Sequence, residues 1–171
     1  MLLPNTPSQT VGPFYSIGLV RGPQTDVVGS GTAGAIRVRG VVYDGDGEPV
    51  PDAVIEIWQA DEMGTYRHDF GWARSGTHPH GEYSLHIVKP GRLDGAAPHV
   101  NVQVFGRGLM KQLFTRMYFP DESEANAADP VFSTIDDARR GTLTAVAEDG
   151  GVRFDIRLQG ENETVFFDLG F

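Results

Sequence analysis

The sequence predicts an all-β protein: one antiparallel β-sandwich of about eight strands, with an extended N-terminal arm and one or two short helices. Hydrophobic and polar residues alternate in several short runs, which is the period of a strand with one buried face. The 22 glycines and 11 prolines are spread along all 171 residues, as expected when turns separate many short strands. The length fits one domain, and it is sufficient for a sizeable core.

The strands are predicted from their alternation, and the turns from glycine and aspartate. The predicted strands cover residues 36–42, 54–58, 83–87, 99–104, 113–119, 152–158 and 165–169. Turn signals of glycine with aspartate occur at residues 44–47 and 149–151. Helix is predicted only within residues 123–137, with Ser123 as one N-cap and Ser133 or Thr134 as a second.

The first 34 residues are predicted to form an arm, and residues 35–171 the sandwich. The arm contains several prolines and shows no sustained period, but residues 11–19 are strongly apolar. A segment this apolar is a poor solvated tail, so we expect the arm to be ordered against a partner chain.

Composition excludes several classes of function. The charge of −9 and the pI near 4.9 disfavour nucleic acid and membrane surfaces as partners. The absence of cysteine removes disulfide scaffolds, zinc ribbons, iron–sulfur clusters and thiol nucleophiles. No apolar run approaches the ~20 residues of a membrane helix, and residues 1–10 do not resemble a signal peptide. We therefore expect a cytoplasmic protein.

Two histidine patterns are candidate metal sites. His99 and Asn101 lie two apart on a predicted strand, so both side chains point away from the core valines of that strand. An amide is a poor ligand for a hard ferric ion or for zinc, so His99 is interpreted as a hydrogen-bonded structural histidine. His78 and His80 flank Pro79 in a loop, where a solvated turn and a metal site are both open interpretations.

A cationic stretch lies within this acidic chain. Arg107, Lys111 and Arg116 either pair with surface carboxylates or bind an anion. Because an acidic protein repels an anionic substrate at long range, a carboxylate site needs such local attraction, and arginine matches a carboxylate geometrically.

Several longer segments resemble the intradiol ring-cleavage dioxygenases. They are residues 40–66 with the ending Trp58-Gln59-Ala60-Asp61, Lys89-Pro90-Gly91, Pro98-His99-Val100-Asn101-Val102 and Thr115-Arg116-Met117-Tyr118-Phe119. Residues 6–14 and 153–160 match as well, so the resemblance covers nearly the whole chain. The first half of the 40–66 pattern, a hairpin leading to an alanine and a buried strand, also occurs in transthyretin-like sandwiches and is less specific.

The resemblance implies an oxygenase with two kinds of chain. Such an α/β hetero-oligomer cleaves 3,4-dihydroxybenzoate between its hydroxyls with O2, giving 3-carboxy-cis,cis-muconate. The family's Fe(III) is held by two tyrosines and two histidines. Two phenolates suit this hard ion because they neutralise part of its charge.

This chain departs from the ligand pattern of the family. Asn101 stands where the second histidine is expected, and neither tyrosine ligand has a counterpart in 92–94 or 69–74. Ala96 or Ala97 replaces the family's catalytic arginine. The resemblance therefore implies a pseudo-site at His99 and Asn101, with no metal and no catalytic residue in this chain alone. The Fe(III) is expected in a homologous beta chain.

An iron-free chain can still line its partner's pocket. By resemblance, the residues that do so are Thr10, Gly12, Pro13, Phe14 and Arg116. Gly12 and Pro13 bring backbone close to a flat ring, Thr10 offers a hydroxyl, and Arg116 draws the substrate carboxylate. The alternative is that these residues only seal the interface.

Two other functions remain open. A self-sufficient metalloenzyme would join His99 to His78, His80 or a tyrosine, although the five tyrosines are expected at core or rim positions. A non-enzymatic, transthyretin-like sandwich would bind a protein or a sugar and would need no partner chain.

Overall fold

Two packed β-sheets form the protein in the computed structural model, which describes residues 5–20, 24–77 and 79–170. The described strands are β1 Ala35–Tyr43, β2 Val54–Trp58, β3 Trp72–Gly76, β4 Glu82–Val88, β5 His99–Phe105, β6 Leu113–Tyr118, β7 Val146–Glu148, β8 Gly151–Arg153 and β9 Ile156–Arg157. The first sheet has the order β4-β1-β8-β7 with β9 also beside β1, and the second has the order β3-β2-β5-β6. The predicted β-sandwich is confirmed.

The first sheet is mixed, whereas the sequence predicted antiparallel pairing throughout. β1 pairs antiparallel with β4 but parallel with β8 and β9. The predicted strand 152–158 is broken at Phe154 and Asp155, where an Asp155 oxygen accepts the Val41 N–H at 2.9 Å. The Asp155 side chain there takes the place of a backbone hydrogen bond of the sheet. The alternation of apolar and polar residues gives no signal for such a bond.

The core lies between the two sheets and follows the predicted alternation. In β5 the valines at 100, 102 and 104 are buried while the intervening Asn101 and Gln103 are partly exposed. These valines pack with Ile55 of β2 and Leu85 of β4 in one continuous cluster. Each fully buried aliphatic side chain stabilises the fold by about 1.5–3 kcal/mol.

Helix is more widespread than predicted. The described helices are α1 Tyr15–Leu19, α2 Ser123–Ala128 and α3 Asp137–Arg140, with 3-10 turns at Phe132–Thr134 and Gly141–Leu143. The predicted caps are wrong: Glu122 precedes α2 without a side-chain bond, and Asp136 caps α3 by accepting the Ala138 N–H at 3.0 Å. α1 was missed because five residues are too few to show helical periodicity.

One predicted strand is absent, and two observed strands were not predicted. Residues 165–169 form only an isolated bridge, between Phe114 and Phe167, rather than a strand. β3 was missed because its inward residues are Ala73 and Ser75, which are not strongly apolar. β7 was missed because it is three residues long and largely exposed. Within the described part of the chain, no helix is long and apolar enough to cross a membrane.

Candidate functional site

One row of side chains crosses the outer face of the second sheet. Trp72 of β3, Trp58 of β2, Asn101 of β5 and Arg116 of β6 are successive cross-strand partners. The two tryptophans are 44% and 49% exposed, and the ring of Tyr66 stands edge-on to Trp58 at 5.5 Å. The row therefore has an aromatic end and a polar end on one face, which includes the predicted pseudo-site.

Asn101 is held by three neighbours at the polar end. Its Nδ2 donates to the Tyr66 hydroxyl at 2.5 Å and to the Trp58 carbonyl at 3.2 Å. Its Oδ1 accepts the Nε–H of Arg116 at 3.2 Å. Burial raises the pKa of Tyr66, so its hydroxyl stays protonated at neutral pH.

A second chain of hydrogen bonds supports Arg116 through Tyr118, which lies two residues further along β6. Its Nη1 approaches the Tyr118 hydroxyl at 3.5 Å, and that hydroxyl donates to Asp129 Oδ1 at 3.0 Å. Asp129 is completely buried and also accepts backbone N–H groups of Ala97, Val131 and Phe132 at 2.8 Å each. Burial raises the pKa of Tyr118 to about 12, so Tyr118 remains a donor to this carboxylate.

His99 is a buried structural histidine, as predicted. Its Nδ1 lies 2.7 Å from the Ala97 carbonyl, which can only accept, so Nδ1 carries the proton. Burial, helped by the positive charge of Arg116, lowers the pKa of His99 below its ordinary value. The imidazole is therefore neutral at neutral pH.

The residues at this pseudo-site do not fit a ferric ion. Arg116 places a guanidinium beside Asn101, where a trivalent cation would need anionic ligands. The amide is itself engaged with Tyr66 and the Trp58 carbonyl. Across residues 5–20, 24–77 and 79–170, no three His, Cys, Asp or Glu side chains are grouped to hold a metal.

The arm residues predicted to line a partner's pocket lie on the surface of this chain. The Thr10 hydroxyl accepts the Gly108 N–H at 2.8 Å, in the loop between β5 and β6. Gly12 and Pro13 are exposed, and Phe14 is 76% exposed. The structure thus brings His99, Asn101 and Arg116 together, and it places Thr10 at the hairpin loop that joins their two strands.

Helix α1 is held to the sandwich by Tyr15 and by the Leu19 carbonyl, which accepts a hydrogen bond from Arg74 Nη1 at 2.7 Å. The Tyr15 hydroxyl contacts the backbone carbonyl oxygens of Asp52 and of Phe105, the latter at 3.2 Å. Burial and the nearby Asp52 carboxylate raise the pKa of Tyr15 to about 12. The arm is therefore anchored at α1 while residues 12–14 remain open to another chain.

The other sequence candidates that the structure describes lie apart from this row of side chains. Arg107 forms an ion pair with Asp52, His86 lies 2.7 Å from Asp26, and Lys111 is exposed. His68 and His80 are exposed, whereas His78 lies outside the described residues. Tyr43 lies under the Arg157 guanidinium, and Tyr83 is buried with its hydroxyl on the Phe154 carbonyl.

Sequence reasoning missed the residues that support Asn101 and Tyr118, the two neighbours of Arg116. Tyr66 lies in a loop 35 residues before Asn101, and Asp129 lies directly after α2, where periodicity gives no signal. The only signal for Asp129 is an aspartate directly before Pro130, which is typical of turns in general.

Comparison with known proteins places the chain among named dioxygenases. A family profile described as "Dioxygenase" matches residues 16–95. The chain is 42% identical to the protocatechuate 3,4-dioxygenase alpha chain of Pseudomonas putida, over 98% of each chain. It is 33% identical to the protocatechuate 3,4-dioxygenase beta chain of Burkholderia cepacia, over 75% of this chain and 66% of that one.

A solved structure agrees with these relatives. The dioxygenase domain of a dioxygenase–carbohydrate-binding fusion from Streptomyces sp. SirexAA-E superposes with a TM-score of 0.66 at 28% identity, covering 91% of this chain and 98% of that one. The β-sandwich and the sequence relatives agree. The chain therefore belongs to the intradiol ring-cleavage dioxygenases, in the group of protocatechuate 3,4-dioxygenase alpha chains.

Proposed function

We propose that this chain is the alpha chain of an enzyme that cleaves 3,4-dihydroxybenzoate between its two hydroxyl-bearing carbons. Both atoms of O2 enter the product, 3-carboxy-cis,cis-muconate, and the carbon–carbon bond between the hydroxyls breaks. The 42% identity to a protocatechuate 3,4-dioxygenase alpha chain over nearly the full length of both chains supports this substrate. It also favours an enzyme subunit over a transthyretin-like binding module.

The Fe(III) of the holoenzyme belongs, in this proposal, to a homologous beta chain. The observation that carries this assignment is the hydrogen bond from Arg116 Nε–H to Asn101 Oδ1. A cation and an amide occupy the position where the family holds iron, so this chain lacks a suitable donor set. Iron bound in the beta chain would supply the activation of the catechol for reaction with O2.

The role of this chain is to complete the pocket of that beta chain. Phe14 and Ile17 of the arm are large apolar side chains left exposed here, and so are Trp58 and Trp72. Exposed aromatic residues of this kind are typical of protein interfaces. We therefore assign residues 1–34 as the arm that contacts the beta chain, and residues 35–171 as the sandwich.

Each pocket residue has a separate task. Arg116 pairs with the ring carboxylate of the substrate, and this local charge offsets the repulsion from a protein of net charge −9. Gly12 and Pro13 present bare backbone to the flat ring, Thr10 supplies a hydroxyl, and Phe14 excludes water.

The cytoplasmic location expected from the sequence stays a prediction.

Reconstitution with the beta chain tests this function. We expect the αβ complex to consume O2 and form the tricarboxylic product, and the alpha chain alone to form none. Arg116→Ala in the complex should raise the KM for 3,4-dihydroxybenzoate by about 10-fold or more, since a charge-assisted bidentate pair is lost. Arg157→Ala, on the first sheet, is the matched control.

Turnover by the isolated chain would overturn the proposal, and so would failure to form an active complex. An unchanged KM in Arg116→Ala would remove the pocket assignment of that residue.

A further inference from the structure

We infer that Asn101 is a positioning residue for substrate binding. It fixes the Arg116 guanidinium so that only the two terminal groups, Nη1 and Nη2, meet the ring carboxylate of the substrate. This inference rests on the proposed function and deepens it. It gives the amide at the former ligand position a task of its own, instead of treating it as the remnant of a lost metal site.

The orientation of the Asn101 amide follows from its neighbours. The Trp58 carbonyl can only accept a hydrogen bond, and the Arg116 Nε–H can only donate one. Nδ2 must therefore face Trp58, at 3.2 Å, and Oδ1 must face Arg116, at 3.2 Å. The Tyr66 hydroxyl, 2.5 Å from Nδ2, can donate or accept and therefore fits either orientation. A flip of the amide would lose two hydrogen bonds, those to the Trp58 carbonyl and to the Arg116 Nε–H.

This arrangement decides which edge of the guanidinium can bind a carboxylate. Arginine forks a carboxylate either with Nε–H and one Nη–H or with its two terminal Nη groups. Asn101 accepts the Nε–H, so the pair made of Nε–H and one Nη–H is not available to a carboxylate. The pair that Asn101 leaves available is made of the two terminal groups, Nη1 and Nη2.

The second contact of Arg116 limits the swing of its terminal nitrogens. Nη1 lies 3.5 Å from the Tyr118 hydroxyl, whose hydrogen is committed to Asp129 at 3.0 Å. The hydroxyl therefore presents a lone pair to Arg116. Asn101 and Tyr118, on two neighbouring strands, fix the guanidinium at two of its nitrogens.

The test compares two substrates in the αβ complex. Asn101→Ala removes the Oδ1 acceptor, and Tyr66→Phe removes one support of the amide while keeping the ring against Trp58. We expect the KM for 3,4-dihydroxybenzoate to rise about 3- to 10-fold in Asn101→Ala, the loss of one charge-assisted hydrogen bond, and less in Tyr66→Phe. For catechol, which lacks the carboxylate, kcat and KM should both stay within about 2-fold of the unmodified complex.

Gln103→Ala is the matched control, since Gln103 lies two residues along β5 on the same face. An unchanged KM for 3,4-dihydroxybenzoate in Asn101→Ala overturns the inference, as does an equal rise for catechol, which would mean general distortion.

Arg116→Ala in the same complex separates this inference from the proposed function. If Arg116→Ala raises the KM and Asn101→Ala does not, only the positioning role fails. If neither changes it, the assignment of Arg116 to the substrate pocket fails with it.

Discussion

The Asp129 side chain accepts more hydrogen bonds than the side chain of Asn101 or of Arg116 makes. One completely buried carboxylate accepts three backbone N–H groups and the Tyr118 hydroxyl. Burial alone would raise its pKa, but these donors together lower the pKa of Asp129 below the ordinary 3.8. Asp129 thus joins the segment before His99 to the turn that starts at Phe132.

Asp129→Asn should reduce the free energy of unfolding by about 2–4 kcal/mol, because an amide NH2 would face backbone donors and the charge would be lost. Urea unfolding of the isolated chain at pH 7 measures this. Asp136→Asn is the control, since Asp136 is exposed and asparagine caps a helix equally well. A loss below about 0.5 kcal/mol would contradict the structural role.

The same residue predicts a dependence on pH. A carboxyl whose folded pKa is depressed contributes stability that is fully present above its unfolded pKa, here near 3.8, and is lost as pH falls through the lower folded pKa. The difference in unfolding free energy between the native chain and Asp129→Asn should therefore shrink below pH 4. A constant difference down to pH 2 would show that the carboxylate charge contributes nothing.

At the scale of elements, Gly40 of β1 lies beside the break between β8 and β9, and this position has no room for a side chain. A Cβ placed there would lie 1.9 Å from the Phe154 carbonyl oxygen and 2.8 Å from the Tyr83 ring. The Phe154 N–H binds the Arg39 carbonyl at 2.8 Å, so the two strands cannot separate without losing that bond.

Gly40→Ala should cost about 1–3 kcal/mol of unfolding free energy through overpacking. Gly45→Ala is the control, because its Cβ would meet its first neighbour at 3.4 Å. Equal melting temperatures for the two variants would rule out the close approach.

Helix α1 is the element that attaches the arm. Tyr15→Phe removes its hydroxyl from the Asp52 and Phe105 carbonyls. We expect amide hydrogen exchange in residues 15–19 to speed up by about 5-fold or more while the sheets are unaffected, since local opening no longer breaks these bonds. Tyr43→Phe, whose ring lies under Arg157, should leave exchange in α1 unchanged. Equal exchange in both variants would show that Tyr15 does not anchor the arm.

Sequence patterns predicted the elements whose burial alternates, and they failed where contacts between distant segments decide. β1, β4, β5 and β6 were predicted because each carries apolar residues on one face, and β2 because it is apolar on both faces apart from Glu56. The period of two also placed His99 and Asn101 on one side of β5. The bond from Asn101 to Arg116 depends on the β5–β6 register, and the bond to Tyr66 depends on a loop conformation. Neither the register of two strands nor the conformation of a loop follows from the local alternation of apolar and polar residues.

At the scale of the whole molecule, the chain combines the family fold with a guanidinium, that of Arg116, hydrogen-bonded to Asn101 on the outer face of the second sheet. The core of the sandwich needs no ion, because the two sheets bury a continuous hydrophobic cluster. In the proposed function, a partner chain covers the exposed aromatic residues Trp58, Trp72 and Phe14. The central claim is that this chain contributes to an iron enzyme without binding the iron.

The most direct test measures iron per chain, with a visible spectrum, on the isolated chain and on its complex with the beta chain. We expect a colourless, iron-free isolated chain and a complex with one iron per αβ pair and a ferric–tyrosinate band. An isolated chain that binds one iron and shows that band would mean that this chain holds the metal itself. The ligands would then have to be sought among its own histidines and tyrosines.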